Sequence, residues 1–201
     1  MNGPDNSKPL RVLGLDPAAA GPTGYGIIEG DGRNCRVVEY GALRIKAKRQ
    51  RESPGASLWE VHAMLERLIE KFQPQVMAVE SIFTALNMRT ALRLAEVRGV
   101  VLLSAEKNKI PVHSYSPREI KASVAGYGQA TKEQVQLMVR ELLAMREIPE
   151  PSDAADALAV ALCHLQGEMV RRKFGTPVNR EPRMRPGTEM TNRARIARIS
   201  L

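Results

Sequence analysis

Apolar and polar positions follow two rhythms along this chain: short strand-like runs in the first third, then helical three-and-four spacing. Val12-Leu13-Gly14-Leu15 is an interior-strand run that ends on Asp16-Pro17, where proline stops the strand and leaves a carboxylate at a sheet end. Gly24-Tyr25-Gly26-Ile27-Ile28 reads as a second strand, and Asp31-Gly32 is a hairpin signal leading into a third, from Cys35 to about Ile45. These three strands are predicted to be antiparallel neighbours.

Helical spacing follows. Leu58, Val61, Leu65, Leu68, Ile69 and Phe72 share one helix face, with Trp59 beside that stripe as expected partial core. Pro74 ends this helix, and Val76-Met77-Ala78-Val79-Glu80 reads as a short buried strand. A crossover helix before it predicts that it runs parallel to the first strand, which puts Glu80 at the same sheet end as Asp16. From Asn87 to Lys107 the pattern is helical but apolar on most sides, so the helix is either wholly buried or packs a second face on another subunit. Ile110 to Tyr115 is the fifth strand. Ser116-Pro117-Arg118-Glu119 is a helix start with a capping-box pattern, and Gly126 and Gly128 break that helix. Thr131-Lys132-Glu133-Gln134 starts another, to about Met145. Pro149 and Pro151 precede a last helix opened by Ser152-Asp153-Ala154-Ala155-Asp156.

Composition narrows the class. With 201 residues, 43% of them apolar, the chain can bury one substantial core. Met1 to Arg11 is polar, unlike an export signal, and no run approaches the roughly 18–20 apolar residues of a membrane span, so a soluble cytoplasmic protein is expected. Cys35 and Cys163 lie far apart without metal or redox spacing and are expected to be free thiols. Charge is uneven: residues 171–201 carry nine Arg/Lys against two Glu, a net of +7, whereas residues 1–170 are nearly balanced. The expected organisation is therefore a folded domain over 1–170 and a basic, disordered tail over 171–201, suited to phosphate contact or to solubility. Arg44, Lys46, Lys48, Arg49 and Arg51 form a further basic cluster, read equally well as a solvated loop.

The carboxylates carry the chemistry. Asp153 and Asp156 are three residues apart at a helix start and so share a face. First-turn acids favour a helix dipole, and Ser152 or Asp153 could serve only as a cap. Yet Ala157, Val160, Ala161 and His164 continue the same side of that helix, and inward carboxylates repel each other and lose hydration unless a cation holds them. Four oxygen donors, Asp16, Glu80, Asp153 and Asp156, without a Cys or His pair suit a hard divalent ion such as Mg²⁺ or Mn²⁺. Phosphoryl transfer is the natural chemistry of such a site, with two ions about 3.5–4 Å apart serving water and leaving oxygen.

Ordered motifs make the reading specific. Leu13-Gly14-Leu15-Asp16-Pro17 with Thr23-Gly24-Tyr25-Gly26, Val79-Glu80-Ser81-Ile82-Phe83 with Asn87 and Ala91-Leu92, Arg98-Gly99, and Asp153-Ala154-Ala155-Asp156-Ala157-Leu158-Ala159 resemble the RuvC family of Holliday-junction resolvases. The resemblance runs from Arg11 to about His164. It implies an α/β, ribonuclease H-like fold, a five-stranded mixed sheet with helices on both faces. It also implies that Asp16, Glu80, Asp153 and Asp156 are metal-binding catalytic acids for Mg²⁺ or Mn²⁺, two ions per site. Lys121 and Lys132 would lie nearby and serve phosphate, and Phe83 would meet bases at the junction centre. The implied protein is a homodimer that resolves four-way DNA junctions in recombination and repair by paired symmetric nicks, with a branch-migration motor complex as a candidate partner.

The chain departs from the family pattern in three places, one of them a tail after His164 that is longer than usual. Ala18-Ala19-Ala20-Gly21-Pro22 stands where relatives usually have Gly and then a basic residue, and Leu86 stands where Lys is common. Fold does not fix substrate, so a related nuclease acting on structured RNA or another branched nucleic acid is the alternative. An actin-like nucleotide-binding enzyme shares the opening Asp and small-residue turn but normally needs two such sheets.

Overall fold

Side-chain alternation along the first strand decides the layering of the molecule. The computed structural model describes residues 9–18, 22–31, 34–43, 53, 55–81 and 88–174. In it, β1 (Leu10–Asp16) sends Leu13 and Leu15 into one core and Val12 into another on the opposite face. β1 is the centre of a five-stranded sheet of order β3-β2-β1-β4-β5. β2 (Thr23–Gly30) and β3 (Cys35–Leu43) extend it antiparallel, while β4 (Val76–Glu80) and β5 (Val112–Tyr115) extend it parallel on the other side. The parallel half is built by two crossover helices, α1 (Ala56–Phe72) and α2 (Met88–Lys107). Their buried residues, among them Val61, Leu65, Val97 and Val101, close the core over Leu13, Leu15, Met77 and Val79. α3 (Pro117–Ala125), α4 (Lys132–Leu142) and α5 (Ser152–Phe174) cover the other face, so helices flank both sides as expected. Capping boxes start α3 at Ser116 with Glu119 and α4 at Thr131 with Gln134.

α2 is not wholly buried. Val97, Val101, Ser104 and Ala105 face the core, while Met88 (76% exposed), Leu92 (58%) and Leu103 (66%) occupy the opposite side. At 3.6 residues per turn, positions 88, 92, 95, 99 and 103 form one solvent-facing line of Met, Leu, Ala, Gly and Leu.

Three expectations change. Trp59 is 68% exposed rather than partial core, because one residue past Leu58 the helix has turned about 100° away from the sheet; its ring leans on His62, with centroids 5.5 Å apart. α4 stops at Leu142, short of Met145, where Ala144 adopts a left-handed backbone (φ 49°). α5 continues to Phe174, so residues 171–174 belong to the helix and not to a tail. Arg171 explains that extension: it pairs with Glu168 one turn earlier and hydrogen-bonds Tyr115 of β5. The basic cluster from Arg44 to Arg51 and residues 175–201 lie outside the described residues. Both cysteines are free thiols, as expected.

α5 is the spine of the second core, buried continuously from Ala157 to Leu165. Its approach to the sheet depends on missing side chains. A Cβ on Gly14 would stand 2.2 Å from the Ala157 carbonyl oxygen, and one on Gly24 would stand 1.9 Å from that of Asp153. Both obstacles are helix backbone, which cannot swing aside. Small residues at 154, 155, 157, 159 and 161 complete the fit from the helix side. Farther along, His164 is buried against β5, its Nδ1 2.7 Å from the Tyr115 hydroxyl. Burial, then His113, pushes its pKa down to about 3, so this anchor stays neutral across the physiological range.

Gly24→Ala is therefore expected to lower unfolding free energy by about 1–3 kcal/mol or more and to displace the first turn of α5. Gly167 lies on the same helix with open space where its Cβ would be, so Gly167→Ala should be neutral or stabilising by about 0.5–1 kcal/mol. Urea unfolding of both variants checks the contrast; equal effects would refute the close-approach explanation.

Candidate metal and nuclease site

Parallel pairing places the first two acids. Leu15 of β1 is in register with Val79 of β4, so Asp16 and Glu80, one residue farther on, end adjacent strands side by side. Period-two alternation aims both toward the face that α5 covers, since Val12, Val76 and Ala78 of the same parity lie in that core. Asp16 is also in register with Gly24, which carries the backbone of Asp153 against it. The first turn of α5 thus arrives over the ends of β1 and β2, bringing Asp153 and, three residues on, Asp156. All four acids are half-buried.

Their mutual influence is strong. Burial first, then the Glu80 charge, pushes the Asp16 pKa up to about 8, with Asp156 and Asp153 adding to the rise. Glu80 is also raised, by burial first and then by Asp156, against a hydrogen bond with Asp16 and the charges of Lys121 and Lys132. Asp16 and Glu80 therefore share a proton near neutral pH. Among the described residues no three His, Cys, Asp or Glu side chains close on one point as ready ligands. Asp16 bonds to Glu80, and Asp156 accepts a 2.6 Å bond from Lys132 Nζ. The donor set nonetheless fits a hard divalent cation: four carboxylates and no sulfur, with a charge burden that keeps Asp16 protonated until a cation relieves it.

The structure brings both sequence-predicted lysines toward the acids. Lys132, the first residue of α4, holds Asp156 and remains half exposed; partial burial opposes its charge, but Asp156 raises its pKa overall. Lys121, half-buried on α3, is within electrostatic reach of Glu80. Phe83 lies outside the described residues, as do Leu86 and residues 19–21 of the departing loop; Ala18 and Pro22 frame that loop beside Asp16 and Thr23.

Two bracing residues went unassigned in the sequence reading. Ser81 donates both its backbone N–H (2.8 Å) and its hydroxyl (3.0 Å) to the Tyr115 carbonyl, tying the end of β4 to that of β5 directly after Glu80. On the far face, Arg98 of α2 donates to the Ser114 hydroxyl at 2.8 Å. Both stand in the family-like motifs, Val79-Glu80-Ser81-Ile82-Phe83 and Arg98-Gly99, which was the available signal, but neither was given a role.

The raised Asp16 and Glu80 give a signed pH dependence. A carboxyl that is harder to ionise in the folded state stabilises the metal-free fold fully below its unfolded pKa, near 4, and loses that contribution as pH rises toward about 8. Asp16→Asn removes the repulsion, so the metal-free variant should melt about 3–6 °C above the wild type at pH 8.5 and much closer to it at pH 4.5. Thermal melts in chelator at both pH values check this; a variant less stable at pH 8.5 would contradict it.

Comparison with known proteins places the chain among relatives. The family model described as crossover junction endodeoxyribonuclease RuvC matches residues 12–164, which span all four acids and both lysines. Proteins of that name from Moorella thermoacetica and Halothermothrix orenii are 46% and 40% identical over 155 and 165 residues, covering 77% and 82% of this chain and 90% and 98% of theirs. The structure of Thermus thermophilus RuvC in complex with Holliday junction substrate superposes with a TM-score of 0.73 at 31% identity, covering 80% of this chain and 96% of that one. The yeast mitochondrial Holliday junction resolvase Ydc2, 19% identical with a TM-score of 0.60, shares the fold. With its mixed five-stranded sheet of ribonuclease H-like type and a family model that matches most of its length, the chain belongs to the crossover junction endodeoxyribonuclease RuvC family.

Proposed function

We propose that this protein is a divalent-metal-dependent endonuclease that resolves four-way DNA junctions by paired, symmetric nicks. The observation that carries the reading is the gathering of Asp16, Glu80, Asp153 and Asp156 at one sheet end by the seating of α5 on Gly14 and Gly24. These four would hold Mg²⁺, or Mn²⁺ in its place, as two ions per site. Bound there, such ions would supply water activation and charge stabilisation for a leaving 3′ oxygen. The chain's own groups do the rest. Asp16 and Glu80 give up their shared proton when the site fills. Lys132, released from or shared with Asp156, and Lys121 beside Glu80 set positive charge at the rim where a phosphate must approach. Phe83 would meet bases at the junction centre, and residues 175–201, rich in Arg, would add sequence-independent affinity.

Paired nicking needs two sites, and α2 offers the surface that joins them. Its exposed line of Met88, Leu92, Ala95, Gly99 and Leu103 is narrow, apolar and free of charge, the character of a helix–helix contact between copies. A branch-migration motor acting on the same junction would be a partner of the DNA-bound dimer. No helix among the described residues is long and apolar enough to cross a membrane.

Asp16→Asn is expected to abolish Mg²⁺-dependent cutting of a synthetic four-way junction while keeping its Kd within about threefold, because basic residues supply most of the affinity. Wild-type cutting by that variant would remove Asp16 from the chemistry; faster cutting of RNA hairpins than of junctions by the wild type would transfer the reading to the RNA alternative. Leu92→Glu should convert a dimer to a monomer in sedimentation and leave junctions with single, unpaired nicks. A monomeric wild type would refute the α2 interface.

A further inference from the structure

The loop from Gly126 to Ala130 joins α3 and α4, the two helices that carry Lys121 and Lys132 to the acid site. At its crest stands Tyr127, 48% exposed. The ring is held in place rather than loose. Gly126 turns the chain with φ 86°, a conformation that side-chain-bearing residues rarely adopt. Gly128 lies against the Arg118 stem, where an added Cβ would come within 2.6 Å of Cγ. The Tyr127 hydroxyl donates to Gln134 Oε1, the same oxygen that accepts the Thr131 N–H in the α4 capping box. Lys132 is the first residue of that helix, so Tyr127 is fixed within one helical turn of the lysine that bonds Asp156.

That hydrogen bond limits what Tyr127 can do. A phosphate offers only acceptors, and the single phenolic proton is already committed to Gln134. What remains available is the half-exposed ring, on a loop whose flanking helices carry Arg118, Lys121 and Lys132, positive groups that draw a phosphate backbone to this side of the molecule. Fixed aromatic faces beside such groups take the flat side of a nucleoside, with little dependence on which base it carries.

We infer that Tyr127 is a nucleoside-stacking platform, packing its ring on the sugar or base of a nucleotide next to the phosphate held at the acid site. This rests on the nuclease reading above and assigns a residue that positions the strand for cutting. The sequence reading treated Gly126 and Gly128 only as helix breakers.

Four proteins, wild type, Tyr127→Phe, Tyr127→Leu and Tyr127→Ala, are compared for junction Kd in Ca²⁺ and for single-turnover cutting in Mg²⁺. The Leu and Ala variants should bind about tenfold more weakly, whereas Phe should stay within about twofold of wild type. Phe and Ala lose the same bond to Gln134, so a purely structural role would weaken both alike, and that result overturns the inference. The slope of log Kd against log salt should be unchanged in every variant, because no phosphate contact is removed; a shallower slope in the Ala variant would equally overturn it. Abasic substitution along the nucleotides flanking the cut separates the two faces. If one abasic position cancels the difference between wild type and Ala, the ring stacks on that base; if none does, it packs on the sugar. A wild type that cuts junctions while the Ala variant binds them equally well would refute this inference alone. A wild type that neither binds nor cuts junctions would refute the nuclease reading with it.

Discussion

Everything in this molecule depends on how closely α5 can approach the sheet. The strands alone deliver Asp16 and Glu80 as neighbouring carboxylates at a sheet end. A helix standing off on ordinary side chains would leave Asp153 and Asp156 several ångströms too high to join them. Glycine at 14 and 24, opposed by the alanines of α5, removes that spacing so that helix backbone rests on strand backbone. The packing of the core and the assembly of the site are one event, and the stability of the first turn of α5 sets the geometry of half the acids.

The same closeness creates the electrostatic problem that defines the site. Four carboxyls brought together in a half-buried place cannot all ionise, and the metal-free protein answers with a shared proton between Asp16 and Glu80 and an ion pair between Asp156 and Lys132. A stable metal-free fold would gain from replacing Asp16 or Glu80 with a neutral residue. Their presence makes sense as a site whose charge is completed from outside, by cations and by the phosphate those cations attract. The bracing of β4 to β5 by Ser81 keeps Glu80 from moving away to relieve the repulsion.

Much of this was legible in the sequence because it is written in local rules. The strand run ending at Asp16-Pro17 and the crossover before Glu80 gave the sheet and its parallel half. The Ser116 and Thr131 capping boxes gave the starts of α3 and α4. Other features depended on tertiary geometry. Trp59 looked like core because one helical position separates it from Leu58, and only the placement of the helix on the sheet decides which side of that boundary it falls. The end of α5 depended on Arg171 meeting Tyr115, a contact between residues far apart in sequence. Gly14 and Gly24 were visible as motif residues, but their purpose appears only when the helix is seen against them. Tyr127 was hidden for the opposite reason: its flanking glycines announce a turn so clearly that the aromatic between them drew no notice.

If the four acids gather for a divalent cation, the DNA-free protein must bind one. Calorimetric titration of Mn²⁺ into the DNA-free protein at pH 7, repeated in buffers of different ionisation enthalpy, tests it most directly. The account predicts saturable binding that releases close to one proton per site, from the Asp16–Glu80 pair, with both the binding and the proton release lost or sharply reduced in Asp16→Asn. Binding that releases no proton, or that is undiminished in Asp16→Asn, would contradict it.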